Sequence, residues 1–185
     1  MKKQIISLLI IIFSLVSFHA HTSEQVWKPA KDGGKIILIR HAKAPGGGDP
    51  VGFKIEDCKT QRNLDIMGIN QAKKIGKLFR EKKIKIDKVL SSQWCRCKDT
   101  AKYAFGDFKE FSALNSTYSP PYDQNEKQQI KDLKNYVNSW SGKGGNLVLI
   151  THYVIILAIT GEKARSGELV ITDKNFKVLS TINTF

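Results

Sequence analysis

The stretch KIILIR at residues 35–40 ends at His41, and the stretch NLVLIT at residues 146–151 ends at His152. Both stretches are short, apolar and rich in β-branched residues, a pattern that predicts strands buried on both faces. A third short run, KVLS at residues 88–91, predicts another strand. These three runs are the frame around which we expect the rest of the chain to fold.

Amphipathic helices are predicted between these strands. From Asp65 to about Lys82, apolar side chains recur at intervals of three and four, which places them on one helix face that Asn63 or Asp65 can cap. Further elements are predicted as helices from Ser92 to about 105, at about 124–141 and at 153–159, and as a terminal β-hairpin at 168–172 and 176–183. Strands that alternate with helices indicate an α/β protein with three layers, in which a mostly parallel central sheet has helices on both faces.

The predicted strand ends bring four side chains to one edge of the sheet. Ligands of such sheets bind beyond the carboxyl ends of the strands, where we expect Arg40, His41, Arg96 and His152. A neutral imidazole can attack phosphorus, and guanidinium groups bind phosphoryl oxygens in bidentate fashion. The combination predicts phosphoryl transfer, a reaction that depends mainly on positioning and electrostatic stabilisation.

Four motifs occur in the order and spacing of a known family. They are Leu38-Ile39-Arg40-His41-Ala42, Leu64-Asp65-x-x-Gly68-x-x-Gln71-Ala72, Ser91-Ser92-x-x-x-Arg96-x-x-x-Thr100-Ala101 and Leu149-Ile150-Thr151-His152. With these motifs, residues 35 to about 160 resemble the histidine phosphatase superfamily, whose fold is also called phosphoglycerate mutase-like. The resemblance implies that fold, phosphatase activity, and no need for a metal ion or an organic cofactor.

The resemblance also implies a role for each matched residue. His41 would be the nucleophile that becomes phosphorylated, and His152 would be the second histidine of the pocket. Arg40 and Arg96 would grip the phosphoryl oxygens, and Arg62 would line the phosphate pocket as a substrate-binding residue. These assignments predict a single anion-binding pocket built from distant parts of the chain.

Three positions leave alternatives open. For the proton donor to the leaving group, Asp49 in the loop after His41 is the first candidate, and the others are Asp57, Asp123 and Glu168. Tyr153 replaces the glycine that is common after the family's second histidine, so its ring is expected to narrow the pocket or to stack on a substrate. The glycine run 46–48 predicts either a flexible loop tip or a loop that faces the substrate.

The first twenty residues have the pattern of a secretory signal peptide. Lys2 and Lys3 precede an apolar run that contains no acidic residue, and this run is shorter than the roughly 20 residues of a membrane span. We predict that residues 1–20 are a signal peptide cleaved after Ala20, with an uncleaved N-terminal anchor as the alternative. Residues 21–34 would then be a polar lead-in, and residues 35–185 would be the histidine phosphatase domain. The mature protein would be located in the periplasm or secreted, with no stable membrane insertion after cleavage.

Export would place the three cysteines in an oxidising compartment. Cys95 and Cys97 are too close in sequence to pair well with each other, so we expect a disulfide from Cys58 to Cys97 or to Cys95, and we predict the Cys58–Cys97 pair. Three unpaired thiols are the alternative. No histidine lies at ligand spacing from these cysteines, so no metal site is predicted.

Length and charge narrow the function further. A chain of 185 residues fits one domain, and its net charge of +13 favours phosphorylated or polyanionic partners. No nucleic-acid motif is present and the basic residues are spread along the chain, so we predict no nucleic-acid partner. The predicted function is an exported phosphatase that hydrolyses phosphomonoesters, with a phosphorylated small molecule or envelope glycan as substrate. A non-catalytic phosphate-binding module on the same fold is the alternative, whereas length and export disfavour a mutase; oligomeric state is not predicted.

Overall fold

A six-stranded sheet forms the centre of the computed structural model, which describes residues 24–185. The strands are β1 (Ile36–Arg40), β2 (Ile86–Ser91), β3 (Lys109–Glu110), β4 (Asn146–Thr151), β5 (Leu169–Thr172) and β6 (Val178–Ile182). The helices are α1 (residues 24–32), α2 (Ile66–Glu81), α3 (Cys95–Phe105), α4 (Glu126–Ser139) and α5 (Tyr153–Thr160). The predicted elements of the domain are therefore present, with bounds that differ by a few residues.

The sheet has the strand order β3-β2-β4-β1-β5-β6. The pairs β2–β3, β2–β4 and β1–β4 are parallel, while β1–β5 and the terminal hairpin β5–β6 are antiparallel. The prediction of a mostly parallel central sheet is thus confirmed. β1 and β4 lie next to each other in its interior, which accounts for their nearly continuous apolar sequences.

Alternate side chains of β1 enter two separate cores, one on each face of the sheet. Ile37 and Ile39 pack in the core that contains Phe79 of α2. Ile36 and Leu38 pack in the core on the opposite face. That second core contains side chains of α4 and α5: Leu133, Val137, Ile155 and Ile156. Each fully buried aliphatic side chain contributes about 1.5–3 kcal/mol, and the two cores confirm the predicted three layers.

The polar lead-in differs from its description in the sequence, because residues 24–32 are helical. Trp27 of this helix is buried, and its ring meets the ring of Phe79 edge to face with centroids 5.9 Å apart. The predicted signal peptide, residues 1–20, lies outside the described residues. None of the helices within residues 24–185 combines the length and the apolar character needed to cross a bilayer.

The disulfide prediction was wrong in its partner. The structure joins Cys58 to Cys95, and Cys97 is a buried free thiol. The reason is the rotation of α3: Cys97, Ala101 and Ala104 follow the i, i+4, i+7 stripe that packs into the core. Cys95 lies off that stripe, at the start of the helix, and meets the loop that carries Cys58.

Candidate active site

Three neighbouring parallel strands end at the same level and bring the predicted residues together. Arg40 at the end of β1 pairs in register with Thr151 at the end of β4. The backbone N–H of His41 then donates to the Thr151 oxygen at 2.9 Å, which places His41 beside the residue that precedes His152. The two imidazole rings lie with centroids 5.5 Å apart.

All five residues assigned to phosphate binding or catalysis by the resemblance line one cavity of about 320 Å³. They are Arg40, His41, Arg62, Arg96 and His152. His41, Arg96 and His152 are almost completely buried, with 2–3% of their surface exposed. The structure therefore forms the single pocket that the sequence predicted, at the carboxyl edge of the sheet.

Side chains of the second and third motifs fix the loop that follows His41. The backbone N–H of Ala42 donates to Oγ1 of Thr100 at 2.9 Å, and that of Lys43 donates to Oε1 of Gln71 at 2.9 Å. Gly68 lies so close to this loop that a Cβ atom there would be 2.0 Å from the Lys43 oxygen. Asp65 caps α2 by accepting from the Gly68 N–H, as predicted. The motifs thus hold the backbone on which the histidine sits.

His41 is held in the form that a nucleophile requires. Its Nδ1 lies 2.8 Å from the backbone oxygen of Ala42, and because a carbonyl only accepts, Nδ1 carries the proton. Burial, and next the charge of Arg96, lower the pKa of His41 well below its ordinary value of 6.5. The ring is therefore neutral at pH 7, with a free electron pair on Nε2.

His152 is fixed in the opposite tautomer. Arg96 can only donate, so its Nη2, 3.5 Å from Nδ1 of His152, makes that nitrogen the acceptor. Nε2 then carries the proton and donates to Oγ of Ser92 at 2.9 Å, while Ser92 donates to Oδ1 of Asn115 at 3.1 Å. Burial and then Arg96 hold the pKa of His152 well below 6.5. The N-cap residue of α3 is Trp94, and the Ser92 hydroxyl contacts His152 instead.

Three arginines give the pocket its electrostatic character. Arg40 donates to the oxygen of Ala164 at 3.0 Å, Arg62 donates to the oxygen of Ala44, and Arg96 forms an ion pair with Asp49 at 2.8 Å. In each arginine the Nε atom is buried and has no partner within the described residues. Burial lowers the pKa of Arg40 and of Arg62 from their ordinary value. These unmet donors and desolvated charges indicate a site built for an anion.

Asp49, the first candidate for proton donor, lines the cavity but accepts in each of its contacts. Oδ1 accepts from Nη1 of Arg96 and from the backbone N–H of Arg62, and Oδ2 accepts from the indole N–H of Trp94 at 3.0 Å. The carboxylate thereby joins the loop 42–63 to the start of α3. The alternative candidates do not line the cavity: Asp57, Asp123 and Glu168.

The remaining pocket residues come from loops and from the start of α5. The glycine run 46–48 faces the cavity, and the Tyr153 ring lies under the Arg40 guanidinium at 5.6 Å, a cation–π contact. Tyr118 and Tyr122 reach the cavity from the irregular segment 106–123. Within residues 24–185, no three His, Cys, Asp or Glu side chains form a group able to hold a metal ion.

Several solved structures share this architecture. SixA of Agrobacterium tumefaciens, a candidate phosphohistidine phosphatase, aligns with a TM-score of 0.55 and 17% identity over 80% of this chain and 97% of that one. The protein histidine phosphatase SixA in complex with tungstate aligns with a TM-score of 0.53 and 13% identity over 81% and 97% of the two chains. A candidate alpha-ribazole-5'-P phosphatase of Escherichia coli K-12 aligns with a TM-score of 0.58 and 14% identity over 81% of this chain and 96% of that one. No protein-family model and no curated protein matches the sequence.

These likenesses establish the fold. The chain has the phosphoglycerate mutase-like fold of the histidine phosphatase superfamily, as the motifs predicted. The residues that carried the resemblance occupy the carboxyl edge of its sheet.

Proposed function

We propose that this protein is a phosphatase that hydrolyses phosphomonoesters through a phosphohistidine intermediate on His41. The pocket charge is the observation that carries the proposal. The charged side chains that line it are three arginines and one aspartate, while both histidines are neutral at pH 7, so two positive charges are in excess. A phosphate monoester carries about −1.5 to −2 charges at that pH and three acceptor oxygens, which matches both the charge and the unmet Nε donors.

Two displacements complete the reaction. In the first, the electron pair on Nε2 of His41 attacks phosphorus, the P–N bond forms, and the P–O bond to the organic group breaks. The leaving oxygen takes up one proton from solvent and departs as an alcohol. In the second, water attacks the same phosphorus and gives one proton back to solvent, the P–N bond breaks, and inorganic phosphate leaves. The sum is one water consumed and one alcohol released. The three arginines offset the negative charge of the transferring group throughout both steps.

The test is hydrolysis of 4-nitrophenyl phosphate in the presence of a chelator. His41→Ala should lower kcat by roughly a thousandfold or more, since the nucleophile is lost. Arg96→Ala should lower kcat/KM strongly, whereas Arg80→Ala, at an exposed arginine of α2, is the matched control and should leave it unchanged. Equal activity of the wild type and His41→Ala would refute the role of His41.

A second candidate function is a phosphate-binding module without turnover. The contacts of Asp49 favour it, because the cavity's one carboxylate accepts in each of its hydrogen bonds. Saturable phosphate or vanadate binding by calorimetry, with no phosphate released from a broad panel of esters, would select this alternative. Turnover of any ester that depends on His41 would remove it.

Export belongs to the same proposal. The pattern of residues 1–20 supports cleavage after Ala20, and the Cys58–Cys95 disulfide supports an oxidising compartment such as the periplasm. Phosphorylated small molecules and envelope glycans would be the substrates met there, and the phosphohistidine and ribazole phosphate named for proteins of like fold join the panel. Mass measurement of the native protein from the extracellular or periplasmic fraction tests this: a mature chain beginning at His21 is expected, and an intact chain in the membrane fraction would contradict it.

A further inference from the structure

The cavity has two ends of different chemistry. One end holds the arginines and the two buried histidines. The other is lined by aromatic rings and serine hydroxyls, and among the residues described none of these side chains is charged. The glycine run 46–48 lies between the two, since Gly46 packs against Arg62. The chain has 30 basic and 17 acidic residues, yet this part of the pocket wall is uncharged. Such a wall would select substrates by the organic group attached to the phosphoryl group.

A rigid aromatic wall connects the two ends. Phe53 lies 5.7 Å from Trp94 and 5.6 Å from Tyr122, and Trp94 lies 5.0 Å from Tyr122, measured between ring centroids. Trp94 also meets the ring of His152 edge to face at 5.4 Å. Because the wall begins beside His152, a group attached to a phosphoryl bound in the pocket would lie close to it.

Tyr118 adds a further aromatic ring to the cavity lining. It is 67% exposed, and a methyl group on Gly48 would touch its ring at 3.9 Å. Tyr118 therefore offers exposed ring surface at a position that lines the cavity. Stacking a ligand ring on it would remove apolar surface of both rings from water.

We propose that the outer end of the pocket binds an uncharged aromatic ring, so that the substrate class is a singly phosphorylated compound with an aromatic ring near the phosphoryl group. The proposal rests on the proposed function, because it takes the arginine end to hold the phosphoryl group. It disfavours substrates with a second anionic group close to the first. The surface charge of the chain would otherwise suggest such substrates.

The test uses phosphonates, which bind without being hydrolysed. Binding of phenylphosphonate, methylphosphonate and methylenediphosphonate is measured by calorimetry on the oxidised protein. Phenylphosphonate should bind at least about tenfold more tightly than methylphosphonate, and methylenediphosphonate should show no such gain. If phenylphosphonate gains nothing over methylphosphonate, or if methylenediphosphonate binds more tightly than phenylphosphonate, the inference fails.

Two tyrosine variants separate the wall from general effects. Tyr118→Ala should reduce the preference for phenylphosphonate by about threefold or more and leave methylphosphonate binding unchanged. Tyr103→Ala, at a half-exposed tyrosine of α3 outside the cavity, should change neither. Equal effects of the two variants would contradict the proposal. If binding depends on the ring but no ester is hydrolysed, only the proposed function fails. If esters are hydrolysed without any preference for a ring, only this inference fails. If none of the phosphonates binds, both fail.

Discussion

Nδ1 of His41 lies 2.8 Å from the backbone oxygen of Ala42, the very next residue. The position of that carbonyl is fixed in turn, because the Ala42 N–H is bound by Thr100 of α3. The tautomer of the proposed nucleophile is thus set by backbone that two helices hold in place. A tautomer held by the protein's own backbone does not depend on contacts with a ligand, as preorganised electrostatic catalysis requires.

The buried histidines should make stability depend on pH in one direction. Their folded-state pKa values lie well below 6.5, so below pH 6.5 the unfolded chain binds protons that the folded chain does not. Stability is full above pH 6.5 and falls as the pH drops toward the folded pKa values. The loss of stability therefore grows as the pH falls from 6.5 to 5.5. Urea unfolding between pH 7.5 and 5.5 measures this loss in the free energy of unfolding. The free energy of His152→Asn should decline less steeply with falling pH than that of the wild type. Equal declines would contradict the burial of a neutral His152.

Two glycines of α2 provide a matched pair for testing the loop after His41. A Cβ atom at Gly68 would lie 2.0 Å from the Lys43 oxygen, and one at Gly76 would lie 2.0 Å from the Ala104 oxygen. Gly68→Ala and Gly76→Ala should each destabilise the fold by about 1–3 kcal/mol through overpacking. Thermal unfolding of both variants checks this part.

The same pair separates stability from activity. Gly68→Ala acts directly on the backbone at Lys43, two residues after His41, whereas Gly76→Ala acts on α3 at Ala104. At a temperature where both variants are folded, Gly68→Ala should therefore lose much more of its kcat than Gly76→Ala. Equal kcat values for the two variants would show that contact between α2 and this loop does not position the nucleophile.

The disulfide should stabilise both the fold and the pocket. Cys58 and Cys95 close a loop with a sequence separation of 37 residues that contains Arg62, and loop-closure entropy gives about 4 kcal/mol for such a loop. Reduction should lower the urea midpoint and weaken phosphate binding. Cys97→Ala is the control, since it keeps the bridge and should respond to reductant as the wild type does. A Cys97→Ala chain that no longer responds would place the bridge at Cys97 instead.

Much of the fold followed from the sequence because its signals are local. The apolar runs before His41 and His152 indicated interior strands, and the Asp65 cap and the spacing of apolar residues indicated α2. Arg40, His41, Arg96 and His152 could be grouped because parallel strands end at a common edge. Applying that rule requires only the positions of the strands along the chain.

The remaining features depend on contacts between distant segments. Whether Cys95 or Cys97 meets Cys58 depends on the rotation of α3, although the stripe of Cys97, Ala101 and Ala104 was a signal that could have decided it. The tyrosines of the cavity mouth lie in a segment without periodicity, so no pattern placed them there. The helix at residues 24–32 is stabilised by the packing of Trp27 and Ala30 into the core, which a polar composition conceals.

The Asp49→Asn variant distinguishes a positioning role of Asp49 from a role as proton donor to the leaving group. An asparagine keeps the shape but loses the ion pair with Arg96, so stability should fall by about 3–5 kcal/mol. Turnover of 4-nitrophenyl phosphate and of an alkyl phosphate should fall by similar factors, because both depend on the same Arg96. A much larger loss for the alkyl phosphate, whose leaving oxygen needs a proton more, would assign the donor role to Asp49.

The most direct test of the account is to identify the phosphorylated atom. A rapid acid-free quench during turnover, followed by peptide mass spectrometry and ³¹P NMR, should find one phosphoryl group per chain, bonded to Nε2 of His41. The His41→Ala chain should carry none. A phosphoryl group on another residue, or undiminished turnover by His41→Ala, would contradict the central claim.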